Sequence, residues 1–412
     1  MRRLSGWWTG DGVQLERATN RTLRRRNRSA LLSRLFLEGP LTRQDLTVST
    51  GLSQAAVSNV VGDLIEDGLV TEAGTVDSDG GRPRVMLRVA PRFALVVGVD
   101  VGETRVRVEL FDLAMTVLAA ADYPIDPDRP DPDTVVRRIL AGLRSVVGSA
   151  GVDTSKILGV GIGVSGVVEQ GQQVIVHAPT LGWNAVELER MLRDGTDLPL
   201  HVDNGAKTLG QAEMWFGAGR GARHAVFVLV GSGVGAAVVT GGVTYRGASS
   251  SAGEWGHTTL VYGGRPCRCG ARGCLEAYVG AGAIIDRYIE ATGDPPARAA
   301  SEEVQLSAII AAAARSPAAR RILDETVAYL GAGVGSLINL FNPERIVIGG
   351  WAGVAIGAKQ LPAIRRGAEA HALRQPFQQA SIELCELGGD AVALGAATLP
   401  IARLLAAGGI RD

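Results

Sequence analysis

The sequence has little cysteine, no excess of charge of either sign and no long uninterrupted apolar run. Four cysteines occur among 412 residues, and the formal net charge is zero. The first residues include arginines but lack the apolar segment of a secretory signal. One uncharged run, residues 225–243, is about as long as a membrane span, but five glycines break it, so it predicts two buried strands with a tight turn. We therefore expect a cytoplasmic protein with no membrane partner, in a compartment that keeps thiols reduced.

The neutral total conceals an uneven distribution of charge. Residues 1–28 carry eight arginines against two acidic residues, so this end is about +6 and the remainder about −6. A basic arm on a neutral-to-acidic body suggests contact with a polyanion at one end, with a merely solvated tail as the alternative. The rest of the composition, 46% hydrophobic and 20% charged, is typical of a soluble globular protein. The length suffices for two or three domains.

The segment after the basic arm predicts a winged helix-turn-helix. Apolar residues at helical spacing indicate a first helix over residues 28–37, and Thr42 and Ser53 are suited to cap a second and a third helix. Two strands are expected near residues 70–73 and 85–89. The third helix would enter the major groove of DNA, and the loop between the strands would reach the backbone or the minor groove. A helical protein–protein domain is the alternative.

The side chains expected at the DNA lie on the polar face of the third helix, at the second helix and in the wing. Glutamine and asparagine can each make two hydrogen bonds to an adenine edge. The predicted DNA-binding residues are Arg43, Gln54, Ala55, Ser58, Asn59, Arg82 and Arg84.

Beyond residue 91 the pattern changes to buried strands that end in glycine-rich turns. Two hairpins of this kind, with turns at residues 100–104 and 231–235, predict a duplicated α/β domain that encloses a ligand in a cleft. Strands ending near Gly166 and Gly350 add glycines that would allow close approach of a ligand.

Three of the four cysteines fall within eight residues, ten residues after a histidine. The set is His257, Cys267, Cys269 and Cys274. Such a group suits one tetrahedral Zn²⁺, and two carboxylates, Glu254 and Glu276, bracket it. The alternatives are a pair of disulfides or free thiols, although a Cys-x-Cys pair is difficult to bridge within itself.

With these features in place, the chain resembles the ROK family of repressors, open reading frames and sugar kinases over nearly its whole length. Residues 267–276 match the family signature Cys-x-Cys-Gly-x-x-Gly-Cys-x-Glu, and residues 254–257 match Glu-x-Gly-His. The resemblance implies the actin-like ATPase/hexokinase fold, two α/β lobes around a sugar cleft. The additional helix-turn-helix makes the chain similar to the repressor branch, as in the N-acetylglucosamine and xylose repressors.

The resemblance also implies a domain plan and site residues. The expected divisions are a basic arm at 1–27, a winged helix-turn-helix at 28–90, a first lobe at 91–206 completed by about 386–412, and a second lobe with the zinc loop at 207–385. Zinc would be bound by the four residues given above. The sugar-binding residues would be Gly166, Asn204, Glu254, His257 and Glu276.

Two departures from the kinase pattern predict that the phosphoryl-transfer reaction is lost. Gly205 stands where the kinases have the aspartate that acts as general base, and loss of a positioned base typically removes about 10²–10⁴ in rate. Glu103 replaces the second glycine of the first phosphate turn, where its carboxylate would repel a γ-phosphate. Asp203 lies one residue early and should point elsewhere.

The expected function is a sugar-responsive transcriptional regulator, a repressor of genes for carbohydrate uptake or catabolism. Its effector would be a monosaccharide or a sugar phosphate, its cofactor zinc, and its DNA partner a palindromic operator bound by a homodimer or homotetramer. One alternative is an ATP-dependent hexokinase that carries a DNA-binding head. The other is a regulator controlled by a protein partner.

Overall fold

The computed structural model describes residues 20–77, 83–125, 131–297 and 301–410. Two compact units divide the chain: residues 1–90 together with 402–412, and residues 91–401. The first part of the predicted basic arm, residues 1–19, and the wing residue Arg82 lie outside the described residues.

The N-terminal unit contains three helices followed by a β-hairpin, the arrangement predicted from the sequence. Its three strands form one sheet in the order β1-β3-β2. The elements are α1 (Asn20–Glu38), β1 (Leu41–Thr42), α2 (Arg43–Thr50), α3 (Gln54–Glu66), β2 (Val70–Val76) and β3 (Arg84–Val89).

Local capping explains where the second and third helices begin. The hydroxyl of Thr42 accepts a hydrogen bond from the Asp45 amide, while the Asp45 carboxylate accepts one from the Thr42 amide, a reciprocal capping box. Gly51 ends α2 in the left-handed region, with φ of 70°. Ser53 caps α3 by accepting a hydrogen bond from the Ala56 amide. The predicted starts of both helices are confirmed.

The first helix is longer than predicted. It begins at Asn20, so residues 20–27 of the predicted arm are helical. Arginine is a good helix former, and tertiary contacts hold the added turns. Arg24 forms an ion pair with Asp63 of α3 at 2.6 Å, and Arg28 forms one with Asp67 at 2.6 Å. These partners lie far away in sequence, so helical periodicity alone did not reveal them.

The C-terminal residues complete this unit. The Arg28 guanidinium is buried, and its Nε donates a hydrogen bond of 2.8 Å to the Gly408 carbonyl. The sequence assigned residues 386–412 to the first lobe of the α/β body, but the part from Ala402 onward groups with the N-terminal unit. The reason is this long-range contact, which no local pattern signals.

The α/β body contains two five-stranded sheets built on one plan. In the first, β4 (Leu95–Val101) pairs with β5 (Arg105–Asp112) antiparallel and with β7 (Ile157–Val164) in parallel, and β7 continues in parallel to β11 (Leu200–Asn204). In the second, β12 (Ala225–Val230) pairs with β13 (Val234–Thr240) antiparallel and with β15 (Arg345–Gly349) in parallel, and β15 continues in parallel to β16 (Ser381–Leu384). The repeated topology agrees with the predicted duplication. Buried apolar side chains fill a core on each sheet.

The first half of the body contains β4 (Leu95–Val101), β5 (Arg105–Asp112), β6 (Val117–Pro124), α4 (Pro132–Ala150), β7 (Ile157–Val164), β8 (Val167–Glu169), β9 (Ile175–Ala178), β10 (Trp183–Val186), α5 (Leu188–Arg193) and β11 (Leu200–Asn204). The second half contains α6 (Gly205–Phe216), β12 (Ala225–Val230), β13 (Val234–Thr240), β14 (Val243–Thr244), α7 (Glu276–Val279), α8 (Ala281–Thr292), α9 (Glu302–Ala312), α10 (Pro317–Phe341), β15 (Arg345–Gly349), α11 (Trp351–His371), α12 (Arg374–Gln379), β16 (Ser381–Leu384) and α13 (Ala391–Ala406).

The apolar runs of the body occupy its interior. The uncharged run at residues 225–243 forms β12, a turn and β13, as predicted. Among the described residues, one stretch, Gly388–Ala406, is long and apolar enough to cross a membrane, and 61% of its most apolar window is buried within the protein. Burial of this extent is typical of a helix in the core of a folded domain.

Candidate functional site

The predicted metal ligands come together in the structure. The ligand atoms of His257, Cys267, Cys269 and Cys274 all lie within 4.8 Å of one another. The Sγ atoms of Cys269 and Cys274 are 3.7 Å apart, and Cys267 Sγ is 3.6 Å from His257 Nδ1. A tetrahedral Zn²⁺ with Zn–S bonds of about 2.3 Å separates two thiolates by about 3.8 Å. The spacing fits one metal ion, and the four cysteines are free thiols in the structure.

The backbone of the zinc loop explains this convergence. The Cys267 amide donates to the Ala271 carbonyl at 2.8 Å, and the Gly270 amide donates to the Cys267 carbonyl at 3.0 Å, which folds the segment into a tight turn. Gly273 has φ of 79°, and a Cβ there would lie 1.7 Å from the Val261 carbonyl oxygen. Only glycine fits this position. Burial raises the pKa of Cys267 to about 12, so without a cation this thiol stays protonated.

The two carboxylates that bracket the cysteines lie partly or wholly out of solvent. Glu276, at the start of α7, is 4% exposed, and its Oε2 accepts a hydrogen bond of 2.9 Å from the Val234 amide. Burial raises the pKa of Glu254, while the charges of His257 and Lys207 oppose that rise. Glu276 Oε1 lies 3.8 Å from Cys267 Sγ, so this predicted sugar-binding residue is close to the metal cluster.

Asn204 and Gly166 meet at the ends of two neighbouring parallel strands. The carboxamide of Asn204 accepts a hydrogen bond from the Lys207 amide at 3.1 Å and donates one to the Gly166 carbonyl at 2.6 Å. Gly166 has φ of 136°, and a Cβ there would lie 2.5 Å from the His177 carbonyl oxygen. The geometry fixes the orientation of the Asn204 side chain and requires glycine at 166.

Residue 205, which the sequence predicts to stand at the position of the kinase base, carries no side chain. Gly205 is the first residue of α6. The adjacent Asp203 is 3% exposed, and both its oxygens accept hydrogen bonds from Arg246, at 3.1 and 2.6 Å. As the sequence predicted, Asp203 points to another partner.

Sequence reasoning did not find two charged residues beside this strand end. Arg246 holds Asp203, and the buried amine of Lys207 donates a hydrogen bond to the Ser250 carbonyl. Burial lowers the pKa of Lys207, and Asp203 opposes that shift. Both residues fix the loop that leads to Glu254. These contacts join residues about 40 positions apart, so local patterns do not predict them. The lysine at position 207, two residues after the expected base, was the one sequence feature that could have pointed to them.

Glu103 lies in the turn between β4 and β5, and its carboxylate pairs with Arg268 of the zinc loop. Arg268 Nη1 is 2.6 Å from Glu103 Oε2, and Nη2 donates to the Ser232 carbonyl at 2.9 Å. Burial raises the pKa of Glu103, and Arg268 opposes the rise. The cavity between the two glycine turns measures about 80 Å³, whereas small-molecule pockets usually measure about 300–1,000 Å³.

Most of the predicted DNA-binding residues lie in accessible positions on the N-terminal unit. Four of these residues, Gln54, Ala55, Ser58 and Asn59, are exposed on α3. Arg43, at the start of α2, is half-buried, and Arg84 is exposed with its guanidinium 2.7 Å from the Gln44 side chain. The apolar face of α3, including Val57 and Leu64, is buried against the rest of the unit. The helix thus presents a polar face that is free to meet DNA.

Comparisons with known proteins agree with this geometry. The model of the ROK family matches residues 96–403. The chain is 30% identical over 400 residues to the xylose repressor of Caldicellulosiruptor bescii, an alignment that covers 94% of this chain and 98% of that repressor. It is also similar to the crystal structure of a ROK family transcriptional regulator, a homolog of the Escherichia coli MLC protein, with a TM-score of 0.76 and 26% identity over 94% of this chain and 98% of the other.

An enzyme of the same fold matches a smaller part of the chain. A ROK family glucokinase from Streptomyces griseus, solved with glucose and AMPPNP, has a TM-score of 0.64 and 27% identity, covering 74% of this chain and 99% of its own. The two-lobed α/β architecture of the body is therefore shared with both regulators and kinases. The chain belongs to the ROK family.

Proposed function

We propose that the protein is a sugar-responsive DNA-binding regulator, a repressor of genes for carbohydrate uptake or catabolism, that has lost the kinase reaction of its fold. One observation supports the proposal most directly: the residues that we expect to bind a sugar lie beside the Cys/His cluster, and residue 205, where we expect the general base of the kinases, is glycine. Repressors match nearly the whole chain, including the N-terminal unit, whereas the glucokinase leaves about a quarter uncovered.

The sugar would bind between the strand ends of the first lobe and the zinc loop of the second. Asn204 and Gly166 offer an oriented carboxamide and close backbone approach. Glu254 and Glu276 would accept hydrogen bonds from sugar hydroxyls, and His257 would add a ring nitrogen. Hydrogen bonds to charged groups are the stronger ones, about 1.5–3 kcal/mol each. The buried carboxylate of Glu276 and the half-buried carboxylate of Glu254 are therefore suited to select a polyhydroxylated ligand.

Zinc would be held by His257 and by the three cysteine thiolates. A structural zinc ion cross-links its ligands and so contributes directly to the stability of the fold. Other residues of the loop would position these ligands. Gly270 and Gly273 shape the turn, and Leu275 and Glu276 connect the loop to α7, where the Glu276 carboxylate is fixed by the Val234 amide.

Loss of the kinase reaction follows from the residues at the reacting positions. Glycine at 205 cannot accept a proton, and Asp203 is occupied by Arg246 through two hydrogen bonds. Glu103 places a carboxylate in the first phosphate turn, where like charge would repel a phosphate. Each change acts on a different step, so together they remove both the base and the phosphate position.

DNA binding would use the exposed face of α3, through Gln54, Ala55, Ser58 and Asn59, together with Arg43, Arg84 and the sequence-predicted Arg82. A cytoplasmic homodimer or homotetramer on a palindromic operator fits this class of DNA reader, whose half-sites lie about 34–36 Å apart. Sugar would release the operator only if it binds one arrangement of the lobes more tightly than the other.

The test is a thermal-shift screen of the zinc-loaded protein against monosaccharides and their 6-phosphates. Each ligand that raises the melting temperature is then added to the protein bound to operator duplexes selected from a random library. We expect at least one sugar to stabilise the protein and to weaken DNA binding. Turnover of about 1 s⁻¹ or more in a coupled ADP-release assay would instead identify a working hexokinase.

A further inference from the structure

The carboxylate of Glu103 occupies the space between the two glycine turns of the cleft. The turn at residues 102–104 belongs to the first lobe and the turn at residues 231–233 to the second, and both line the same small cavity. Glu103 Oε1 lies only 3.1 Å from the position that a Cβ on Gly233 would take. Its side chain is 10% exposed. A negatively charged group is therefore already present where the two turns face each other.

Arg268 binds this carboxylate as it would bind an external anion. One of its amino groups is 2.6 Å from Glu103 Oε2, and the other is 3.5 Å from Oε1. A planar guanidinium recognises a carboxylate and a phosphate through the same forked arrangement of donors. The second amino group also lies 3.7 Å from Glu276. Arg268 thus connects the first lobe, the metal loop and one of the proposed sugar carboxylates.

Trp351 lines the same cavity. It follows Gly350 at the start of α11, and its indole Nε1 lies 3.2 Å from the position of a Cβ on Gly231. The cavity is about 80 Å³. Glu103 lies against one glycine turn residue, Gly233, and Trp351 against another, Gly231.

Few ion pairs join the two lobes. Taking the lobes as divided at residue 206, with residues 386–401 in the first, the ion pairs of the described part of the body that cross the division are Glu103–Arg268 and Asp203–Arg246. One lies at the phosphate turns and the other beside Asn204. They provide a natural control for each other, because both tie the lobes together and only one involves the turns.

We propose that Glu103 is a built-in substitute for a phosphate group, held by Arg268 between the two glycine turns so that the lobes are joined without a nucleotide. The proposal rests on the proposed loss of kinase activity and extends it. The phosphate position is not simply blocked: it is a latent anion site with an internal occupant. Removal of the carboxylate should leave Arg268 free to bind a polyphosphate.

The experiment titrates inorganic tripolyphosphate into the zinc-loaded full-length protein by calorimetry. We expect the wild-type protein to bind weakly or not at all and the Glu103→Gly variant to bind at least about tenfold more tightly, a difference of about 1.4 kcal/mol. The double variant Glu103→Gly/Arg268→Ala should lose this gain. Glu103→Ala serves as a second carboxylate-free variant if the glycine variant does not fold, and zinc content is measured for every protein.

Arg246→Ala is the matched control, since it breaks the other interlobe ion pair and leaves the turns intact. The proposal is overturned if Glu103→Gly and Glu103→Ala bind tripolyphosphate no more tightly than wild type, or if the gain survives removal of Arg268. It is also overturned if Arg246→Ala gains as much affinity, because general loosening of the lobes would then explain the result. No sugar or DNA enters this assay, so its failure would leave the proposed sugar response untouched, and the absence of a sugar response would leave this site standing.

Discussion

The proposed sugar side and the proposed phosphate side of the cleft are both built from the two lobes, and they differ in what their loops carry. Each lobe contains a five-stranded sheet with the same sequence of antiparallel and parallel neighbours. On the proposed sugar side, the Cys/His cluster, Glu254 and Glu276 form a compact set supported by backbone contacts. On the proposed phosphate side, Glu103 fills the turn beside Gly233. In the proposed function, one sheet framework keeps a binding surface while reacting groups, such as the base replaced by Gly205, are lost.

The largest expected effect comes from removing one of the predicted zinc ligands on the proposed sugar side. Cys269→Ser removes one of four ligands, and because zinc binding contributes about 10–16 kcal/mol of apparent free energy in small zinc domains, we expect loss of bound zinc and a much lower melting temperature. The sugar response should disappear with it. Cys385→Ser, a free cysteine outside the cluster, is the control. Zinc analysis and calorimetry provide the readout, and a zinc-free variant with full sugar response would refute the structural role of the loop.

The next effect concerns a carboxylate on the sugar side. Glu276→Gln keeps an oxygen for the Val234 amide but removes the charge, so sugar affinity should fall by about 10–100-fold, in line with about 1.5–3 kcal/mol for a hydrogen bond to a charged group. Titration of a sugar found in the screen measures this. Glu290→Gln, whose exposed carboxylate pairs with Arg265, should leave the affinity unchanged. Equal losses in both variants would show that the effect is not specific to the cleft.

A smaller expected effect is a pH dependence of stability that comes from Asp100, which lines the cavity between the two glycine turns. Burial raises the pKa of Asp100, at the end of β4, to about 7. The folded protein therefore holds a proton there that the unfolded chain releases near pH 4. The associated stability is present at low pH and is lost as the pH rises from about 4 to about 7. Asp100→Asn should flatten this part of the stability curve in denaturant unfolding, and a curve identical to that of the wild type would contradict the prediction.

The smallest expected effect is on the reaction itself. Gly205→Asp restores the base, and a Cβ at this position meets only ordinary contacts, the nearest at 3.6 Å. We still expect no hexokinase turnover, because Glu103 and Trp351 occupy the phosphate side. Gly205→Asn is the control of equal size. Appearance of turnover in the aspartate variant alone would show that the phosphate side remains open, and the comparison of the two sides would fail.

Local sequence signals predicted the elements that depend on neighbouring residues. Thr42, Ser53 and the spaced cysteines act through contacts within a few positions, and the structure places them as expected. The extension of α1 and the partners of Asp203 and Glu103 were missed because they depend on pairing across the fold, as with Arg246 and Arg268. Trp351 carried no recognisable motif, and its role is visible only from its position beside Gly231.

The contribution of the C-terminus to the N-terminal unit has a consequence for biosynthesis. Arg28 and Gly408 are 380 positions apart in the chain, yet they share a buried hydrogen bond. Synthesis proceeds from the N-terminus, and N-terminal units usually fold first. Here α3 emerges early, but the Arg28–Gly408 contact of its unit forms only after the α/β body has been synthesised. A chain that stops within the α/β body would lack this contact, and we expect its N-terminal unit to be less stable.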